Sequence, residues 1–360
     1  MVSVVFVVHT FDESQIGGVL KITSMQANAL ARRGWKVCVL SLGQITRPAY
    51  KLDDNVELVC LNLKYYDTRQ LSGIKKIFFF SKSYRRVLNF VKTQHNAIFI
   101  TTSAPINILF SLFKQRFKVF GCDHTATTYS KNGLTFVVNL LKRRLDCMIA
   151  LTPEDTLYYK NSGITSKCIP NFIERDITEK NHLGNDVAFI GRFSKEKNPL
   201  GALRIFYLSR LYEKGVKMKL YGYGDLKHDM LTLIKDYDIQ SFVSIVEGEK
   251  DPNVMLKDVR CLLLTSEIEG FPMVLLEAMS KGIYCISYDV GYGPKNIIEN
   301  GINGFLVEEG EEQKAAGKLV DIFSGSGGSS PDKIRNSIDQ FYTEGVIEKW
   351  EILLKEFSRS

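Results

Sequence analysis

Glu269 and Glu277 stand eight residues apart in the segment Thr265–Gly282, which reads TSEIEGFPMVLLEAMSKG. The apolar run Cys261–Leu264 before this segment indicates a strand buried on both faces. Gly270 then allows the chain to turn into a helix. One carboxylate would lie in the loop and the other on the helix. Such a pair suits the hydroxyl groups of a sugar.

The start of that helix is the second chemical feature. Pro272 suits the first helical position, because the amide that proline lacks would have no partner there. The amides of Met273, Val274 and Leu275 would then be free to bind an anion. Carboxylates and amides together suit a phosphorylated, polyhydroxylated ligand. The alternative is a surface strand–loop–helix whose two glutamates are only solvated.

Two cations, Arg192 and Lys197, follow a predicted strand from Asp186 to Gly191. At the carboxyl edge of a parallel sheet they would neutralise a diphosphate, on which charge develops as a glycosyl bond breaks. The alternative is a solvated basic loop.

Three segments resemble the signatures of one family. EGFPMVLLEA resembles the E-x7-E signature of retaining glycosyltransferases with the GT-B fold, above all glycosyltransferase family 4. GRFSKEKN (Gly191–Asn198) resembles its diphosphate-binding segment, and YGPKNIIENGINGFLV (Tyr292–Val307) resembles its G-x-x-E-I-I…NGFLV tail. The resemblance covers most of residues 186–322. Many members carry glutamate where Lys295 or Asn296 stands, which is a departure on the donor side.

The resemblance implies roles for individual residues. Glu269 would bind the hexose and Glu277 the ribose, while the departing phosphate takes the acceptor proton on the same face of the sugar. The alternative, Glu269 as a covalent nucleophile, is disfavoured by the resemblance. His124 would lie near the transferred sugar, which makes Glu269 and His124 the catalytic candidates. The other donor-binding candidates are Gly17, Gly18, Arg192, Lys197, Gly222, Gly270, Phe271, Pro272, Met273, Val274 and Leu275.

The first half of the chain alternates strands and helices, which indicates a doubly wound parallel sheet. Gly17 and Gly18 precede its first helix, where a tight turn is the alternative to a ligand loop. His124 follows a predicted strand in GCDHTATTY, where a purely structural histidine is the alternative. The pair Asp53–Asp54 is interpreted as a solvated turn rather than a metal site.

A second alternation begins at Asp186, so the fold class is α/β. The resemblance implies a GT-B fold, with two Rossmann-like domains facing across a cleft. We expect an acceptor-side domain over residues 1–172 and a nucleotide-sugar domain over 173–344. A C-terminal helix over 345–360 is expected to pack back on the first domain.

Composition agrees with an intracellular globular protein. The 360 residues are 45% hydrophobic and 24% charged. The seven cysteines are scattered without metal-ligand spacing, which favours reduced thiols and a cytoplasmic location. The N-terminus lacks the basic region of a signal peptide, and no apolar run is long enough to span a bilayer.

Charge is divided unevenly along the chain. Residues 1–174 carry 23 Lys and Arg against 11 Asp and Glu, a net +12, whereas the remainder has a net −5. Residues 74–92 form a predicted basic amphipathic helix, which would dock on the anionic inner face of the cell membrane. The alternative is a core-facing helix with a solvated basic side. The basic residues that gather on one side of this helix are Lys75, Lys82, Arg85, Arg86 and Lys92.

The sequence thus predicts a metal-independent retaining glycosyltransferase without a cofactor, which moves a hexose from a nucleotide diphosphate sugar, expected to be a UDP-sugar. The predicted acceptor is a cell-surface glycan or lipid-linked saccharide, and no nucleic-acid partner is expected. The alternatives are a UDP-sugar 2-epimerase on the same fold and a non-enzymatic polyanion-binding protein. The latter would leave the GRFSKEKN and E-x7-E segments unexplained.

Overall fold

The computed structural model describes residues 2–15, 17–63, 74–94, 96–113, 117–124, 135–175, 184–326 and 329–358. The side chains of residues 74–83 also lie outside this description. The chain divides into two compact domains. The first domain comprises Met1–Asn171 and Thr343–Ser360, and the second comprises Phe172–Tyr342.

The described part of the first domain contains a seven-stranded parallel sheet in the order β3-β2-β1-β4-β5-β6-β7. Its central strands are continuous apolar runs because helices cover both faces of the sheet. Its strands are β1 (Ser3–Val8), β2 (Lys36–Ser41), β3 (Val56–Cys60), β4 (Ala97–Thr101), β5 (Lys118–Cys122), β6 (Cys147–Ala150) and β7 (Ser166–Cys168).

Helices connect these strands. Thr152 caps α5 by accepting a bond from the amide of Asp155. Gly34, with φ 87°, follows the end of α1. The helices of the domain are α1 (Gly18–Arg32), α2 (Ile74–Thr93), α3 (Ala104–Ser111), α4 (Thr135–Lys142) and α5 (Pro153–Asn161).

The second domain has a six-stranded parallel sheet within its described residues, in the order β10-β9-β8-β11-β12-β13. Its strands are β8 (Asp186–Ile190), β9 (Lys217–Tyr221), β10 (Val243–Val246), β11 (Val259–Leu264), β12 (Tyr284–Tyr288) and β13 (Gly304–Val307). Its helices are α6 (Pro199–Ser209), α7 (Lys227–Asp236), α8 (Pro252–Met255), α9 (Met273–Ser280), α10 (Glu312–Ser324) and α11 (Pro331–Ser337). Short 3₁₀ helices cover Lys195–Lys197, Leu211–Lys214, Gly293–Asn296 and Asp339–Phe341.

The last helix, α12 (Thr343–Ser358), belongs to the first domain. Trp350 is buried at 1% exposure, and the indole of Trp35 donates to Glu351 at 3.2 Å. Arg33, at the end of α1, approaches the same carboxylate at 3.5 Å. These contacts fix the C-terminal helix against α1.

Two elements depart from what the sequence predicts. The composition of Ser324–Asp332, SGSGGSSPD, predicts a flexible surface loop, but Ser324 ends α10 and Pro331 begins α11. The side chain of Ser330 caps α11 by accepting from the amide of Lys333, and proline at the first helical position supports it. The short strand β7 was not predicted either, since its three residues, SKC, show no apolar run.

Candidate active site

Lys197 and Glu269 meet at the carboxyl edge of the second sheet. β8 and β11 are neighbours there, but the chain continues from β8 to β9 and from β11 to β12, on opposite sides. Such a reversal opens a crevice, in which ligands of α/β proteins usually bind. Lys197 Nζ lies 2.8 Å from Glu269 Oε1 across this point.

A serine completes the surroundings of that carboxylate. Ser266 Oγ donates to Glu269 Oε1 at 2.7 Å. The side chains of Glu269 and Lys197 are only 10% and 21% exposed, so the ion pair is weakly screened by solvent. Lys197 and Ser266 both donate to Oε1, which leaves Oε2 to accept a hydrogen bond from a ligand. Sequence reasoning missed Ser266, although it lies within the TSEIEG segment.

Backbone contacts hold the two site loops together. The amide of Glu267 donates to the carbonyl of Glu196 at 2.8 Å, and Thr265 Oγ1 donates to the carbonyl of Asn198 at 2.7 Å. Asn198 adopts a left-handed conformation with φ 48° and caps α6 by accepting from the amide of Gly201. The loops after β8 and β11 are therefore fixed relative to each other before any ligand binds.

Gly222 and Gly224 let the loop after β9 approach the GRFS segment closely. A Cβ atom on Gly222 would lie 1.9 Å from the carbonyl oxygen of Gly191, and one on Gly224 would lie 2.5 Å from that of Phe193. Their φ angles, 151° and 149°, also favour glycine. The predicted site residue Gly222 thus shapes the loop that carries Arg192.

The start of α9 corrects one expectation. Pro272 is not the first helical residue, because its ψ of 101° is extended and the helix begins at Met273. The amide of Leu275 is not free for an anion, since it donates to the carbonyl of Pro272 at 3.1 Å. Met273 and Val274 keep first-turn amides, which have no partner within the helix.

The tail segment packs beneath the turn between Glu269 and α9. A Cβ on Gly293 would lie 2.8 Å from the carbonyl oxygen of Gly270, and Gly293 has φ 62°. Phe271 is 6% exposed and packs against Phe341, with ring centroids 5.6 Å apart. Phe271 and Pro272 are thus buried supports of the turn, whereas Gly270 remains half-buried at the site.

The remaining donor-side candidates lie around this centre. Arg192 is on the same loop as Lys197, with its side chain 58% exposed and 3.6 Å from Glu196. Glu277 is half-buried on the second turn of α9. The structure therefore joins Lys197 directly to Glu269 and places Arg192 and Glu277 on the two elements that flank them.

In the first domain, His124 follows β5 beside a buried carboxylate. Asp123 Oδ1 accepts from Asn107 Nδ2 at 2.7 Å, and Oδ2 accepts from Tyr159 Oη at 2.8 Å and from the ammonium of Lys142. Asp123 and Lys142 are 9% and 8% exposed. A buried ion pair needs such additional bonds to offset its desolvation, so the network fixes the backbone that carries His124. Burial lowers the pKa of His124 to about 4, against the charge of Asp123, so its imidazole is neutral at pH 7.

Gly17 and Gly18 lie exposed at the start of α1. Gly17 is extended, with φ −179°, and a Cβ on either glycine would meet no atom of the described residues closer than 4.0 Å. Within that part of the chain, neither the backbone nor packing requires glycine here, in contrast to Gly222. The role of these two glycines as donor-binding residues stays a prediction.

The described residues contain neither a cluster of metal ligands nor a helix that could span a membrane. No group of three or more His, Cys, Asp or Glu side chains in that part of the chain is arranged to hold a metal ion. No helix there is both long and apolar enough to cross a bilayer.

Comparison with known proteins agrees with this geometry. Residues 171–340 match the family model "Glycosyl transferases group 1". An uncharacterized glycosyltransferase of Haemophilus influenzae is 24% identical over 354 residues, which cover 94% of this chain and 96% of that protein. The amylovoran biosynthesis glycosyltransferase AmsD of Erwinia amylovora is 23% identical over 364 residues, covering 95% and 97%.

Solved structures share the two-domain fold. The chain superposes on S. aureus TarM, in a complex with fondaparinux, α-GlcNAc-glycerol and UDP, with a TM-score of 0.81 and 14% identity. The superposition covers 98% of this chain and 100% of that one. The two parallel-sheet domains are therefore those of the GT-B fold, and the predicted fold class is confirmed.

Proposed function

We propose that this chain is a retaining, metal-independent glycosyltransferase that moves a hexose from a UDP-sugar to a cell-surface glycan or lipid-linked saccharide. The observation that carries the proposal is the Lys197–Glu269 pair at the switch point of the second sheet. This pair lies within the residues that match the group 1 glycosyltransferase model. The full-length similarity to AmsD, a polysaccharide biosynthesis enzyme by name, supports the acceptor class.

On the donor side, Lys197 and the first amides of α9 would bind the diphosphate. A cation and helix-terminal amides stabilise the charge that develops on the leaving phosphate. Arg192 is exposed enough to leave Glu196 and join them. UDP in the TarM complex supports a uridine nucleotide. Glu277 would bind the ribose hydroxyls from α9.

On the sugar side, Glu269 Oε2 would accept a hydrogen bond from a hydroxyl group of the hexose. Its other oxygen is held by Lys197 and Ser266, so the carboxylate is already oriented. A carboxylate that shares its charge with an ammonium is also a weaker nucleophile. This favours a reaction in which the departing phosphate takes the acceptor proton over a covalent intermediate on Glu269. His124, being neutral, would donate a hydrogen bond near the transferred sugar.

A donor panel tests the proposal. Binding and slow hydrolysis of UDP-, GDP- and ADP-sugars are measured without acceptor, and we expect UDP-sugars to be bound and hydrolysed preferentially. Conversion of a UDP-sugar into its 2-epimer would instead favour the epimerase. Absence of binding and hydrolysis for every donor would contradict glycosyl transfer.

We also propose that the enzyme is cytoplasmic and docks on the inner face of the cell membrane through the first domain. Arg85, Arg86 and Lys92 are exposed on α2. The side chains of Lys75 and Lys82, the other members of the predicted basic stripe, lie outside the described residues. The ring of Tyr84 on α2 contacts that of Phe113, which follows α3.

An apolar face on α4 supports this location. α3 packs against α4, and Phe113, which follows α3, contacts Tyr84 of α2. On α4, Phe136, Val137 and Leu140 are 72%, 49% and 50% exposed. Exposed apolar side chains together with exposed arginines in one domain are typical of proteins that meet anionic lipid.

A further inference from the structure

A buried ion pair lies next to His124 in the first domain. Asp123 directly follows β5, and its side chain is 9% exposed. The ammonium of Lys142, the last residue of α4, donates to Asp123 Oδ2 and is 8% exposed. Removing two charges from water is costly, and their mutual attraction offsets that cost only where further hydrogen bonds complete the surroundings.

Two more helices supply such bonds to Asp123. Asn107, on α3, donates from Nδ2 to Oδ1 at 2.7 Å, and Tyr159, on α5, donates from Oη to Oδ2 at 2.8 Å. Lys142 Nζ also lies 5.2 Å from the centroid of the Tyr159 ring, within the range of a cation–π contact. The carboxylate is thus held by α3, α4 and α5 at once.

The amide of Asn107 is itself fixed in orientation. Thr101, the last residue of β4, donates from Oγ1 to Asn107 Oδ1, and both residues are fully buried. With its oxygen engaged in this way, the amide presents its NH₂ group to Asp123. Gly121 leaves room for it, because a Cβ there would lie 3.2 Å from Asn107 Cγ. Support of this kind behind a side chain is what holds a functional residue in its working geometry.

The charge of Asp123 acts on His124, the next residue. A nearby carboxylate favours the protonated imidazole, whereas burial disfavours it. Burial prevails here and lowers the pKa of His124 to about 4. A charged imidazolium beside the sugar would oppose the positive charge that develops there as the glycosyl bond breaks. The balance of charge around Asp123 therefore matters for His124.

The other titratable groups of the network do not balance the charge of Asp123. Burial and the neighbouring carboxylates raise the pKa of Tyr159 well above its ordinary value, and burial raises the pKa of the Cys122 thiol, so both are uncharged at pH 7. Asp155, on the first turn of α5, adds a second negative charge near Tyr159. Within the described residues, the cation paired with Asp123 is Lys142.

We propose that Lys142 is a positioning residue of the glycosyl-transfer reaction, which by pairing with Asp123 keeps His124 uncharged and fixed in place. The proposal rests on the proposed function, because that function places His124 near the transferred sugar. Lys142 and Asp123 are both buried, so they would act through His124 rather than touch the substrate.

The pH dependence of slow donor hydrolysis tests this role. In Lys142→Met the carboxylate would lack its cation and would raise the pKa of His124 from about 4 towards the ordinary 6.5. The hydrolysis rate of the variant relative to wild type should therefore fall about threefold or more between pH 8 and pH 5. The affinity for free UDP, measured by isothermal titration, should equal that of wild type, because the donor side is unaltered.

Two further variants separate this role from a loss of structure. Lys118→Met removes the lysine of a second ion pair, 3.7 Å from Asp146 at the other end of β5, and should leave the rate ratio independent of pH. Asp123→Asn combined with Lys142→Met removes both charges and should restore the wild-type pH dependence, whereas a packing defect would persist. If the ratio for Lys142→Met did not change with pH, or if the double substitution failed to restore it, the positioning role would be wrong.

Histidine NMR separates this proposal from the proposed function. The protein contains five histidines, and His124→Gln assigns the imidazole signal of His124. We expect the pKa of His124 to be higher in Lys142→Met than in wild type, and equal values would overturn the link between the two residues. A raised pKa in a protein that hydrolyses no nucleotide sugar would overturn the proposed transferase and retain the link.

Discussion

Glu269 and Glu277 differ in surroundings, and this difference assigns them different tasks. Glu269 is held by Lys197 and Ser266 at the switch point, whereas Glu277 lies half-buried on α9. We expect Glu269→Ala chiefly to lower turnover and Glu277→Ala to weaken nucleotide binding. Isothermal titration with free UDP distinguishes them. If Glu269→Ala abolished UDP binding while Glu277→Ala left it intact, the two roles would be reversed.

Lys197 and Arg192 carry the charge that the reaction needs at the diphosphate. Replacing either by alanine should lower kcat about 10²-fold or more, the scale of losing one charge-stabilising group. Steady-state kinetics with the hydrolysed donor measures this, and Lys214→Ala, an exposed lysine of the same domain, is the control.

We also expect activity to survive EDTA. Loss on chelation that Mg²⁺ or Mn²⁺ restores would contradict the metal-independent mechanism.

Gly222 permits a close approach between two backbone segments, and its substitution should lower both stability and nucleotide binding. Gly222→Ala would place a methyl group 1.9 Å from the carbonyl of Gly191, at a φ that alanine rarely adopts. We expect a lower Tm and loss of UDP binding, because the loop before Arg192 must move. Gly317→Ala, exposed in α10 with open space around it, should raise stability by about 0.5–1 kcal/mol. Equal Tm changes in the two variants would show that the close approach is unimportant.

At the scale of elements, the central buried strands could be predicted from the sequence because they are apolar runs closed by glycine or a polar turn. The E-x7-E segment could be predicted because its strand, loop and helix are consecutive in the sequence. The hydrogen-bond partners of Asp123 could not be predicted, since Asn107, Lys142 and Tyr159 come from three different helices. The contact between His9 Nε2 and Ser103 Oγ could not be predicted for the same reason, because only the order of the strands brings the ends of β1 and β4 together.

The carboxyl edge of the first sheet should make this domain sensitive to acid. Burial lowers the pKa of His9 and of His124 to about 4, below the ordinary 6.5, so the unfolded chain binds protons that the folded chain does not. Stability contributed by the neutral imidazoles is complete above pH 6.5 and is lost as the pH falls towards 4. Hydrogen bonds from Ser14 and Thr46 also hold the pKa of Asp12 below its usual range, which extends the loss to lower pH.

Chemical denaturation between pH 7 and pH 4 measures this dependence. His9→Gln should reduce the pH dependence of stability that His9 contributes. Ser244→Ala, exposed in β10, removes no titratable group and should leave the slope unchanged. A slope in the His9 variant equal to that of wild type would contradict the assignment.

At the scale of the whole molecule, the two domains differ in charge as well as in chemistry. Residues 1–174 carry a net charge of +12 and the remainder a net charge of −5, and residues 68–122 contain no acidic side chain. A surface potential of one sign on one domain orients a protein towards an anionic surface before contact. The apolar face of α4 would then add a contribution that salt does not screen.

Vesicle sedimentation tests this orientation. The five basic residues 75, 82, 85, 86 and 92 should each contribute about 1 kcal/mol near an anionic leaflet, so that one substitution weakens binding about fivefold and five abolish it. We expect the protein to sediment with phosphatidylglycerol vesicles at low salt and much less with neutral lipid. Binding should weaken as salt shortens the Debye length from about 10 Å at 0.1 M to about 3 Å at 1 M.

The control variant must lose the same charge elsewhere. Five exposed lysines of the second domain serve this purpose when changed to glutamine: Lys214, Lys217, Lys235, Lys257 and Lys333. This variant should sediment as wild type does, because its substitutions lie on the acidic domain, whereas the five-residue Lys/Arg→Gln variant of α2 should remain in solution. If both variants lost binding equally, net charge alone would govern it. If the α2 variant sedimented like wild type, its basic stripe would be only a solvated face.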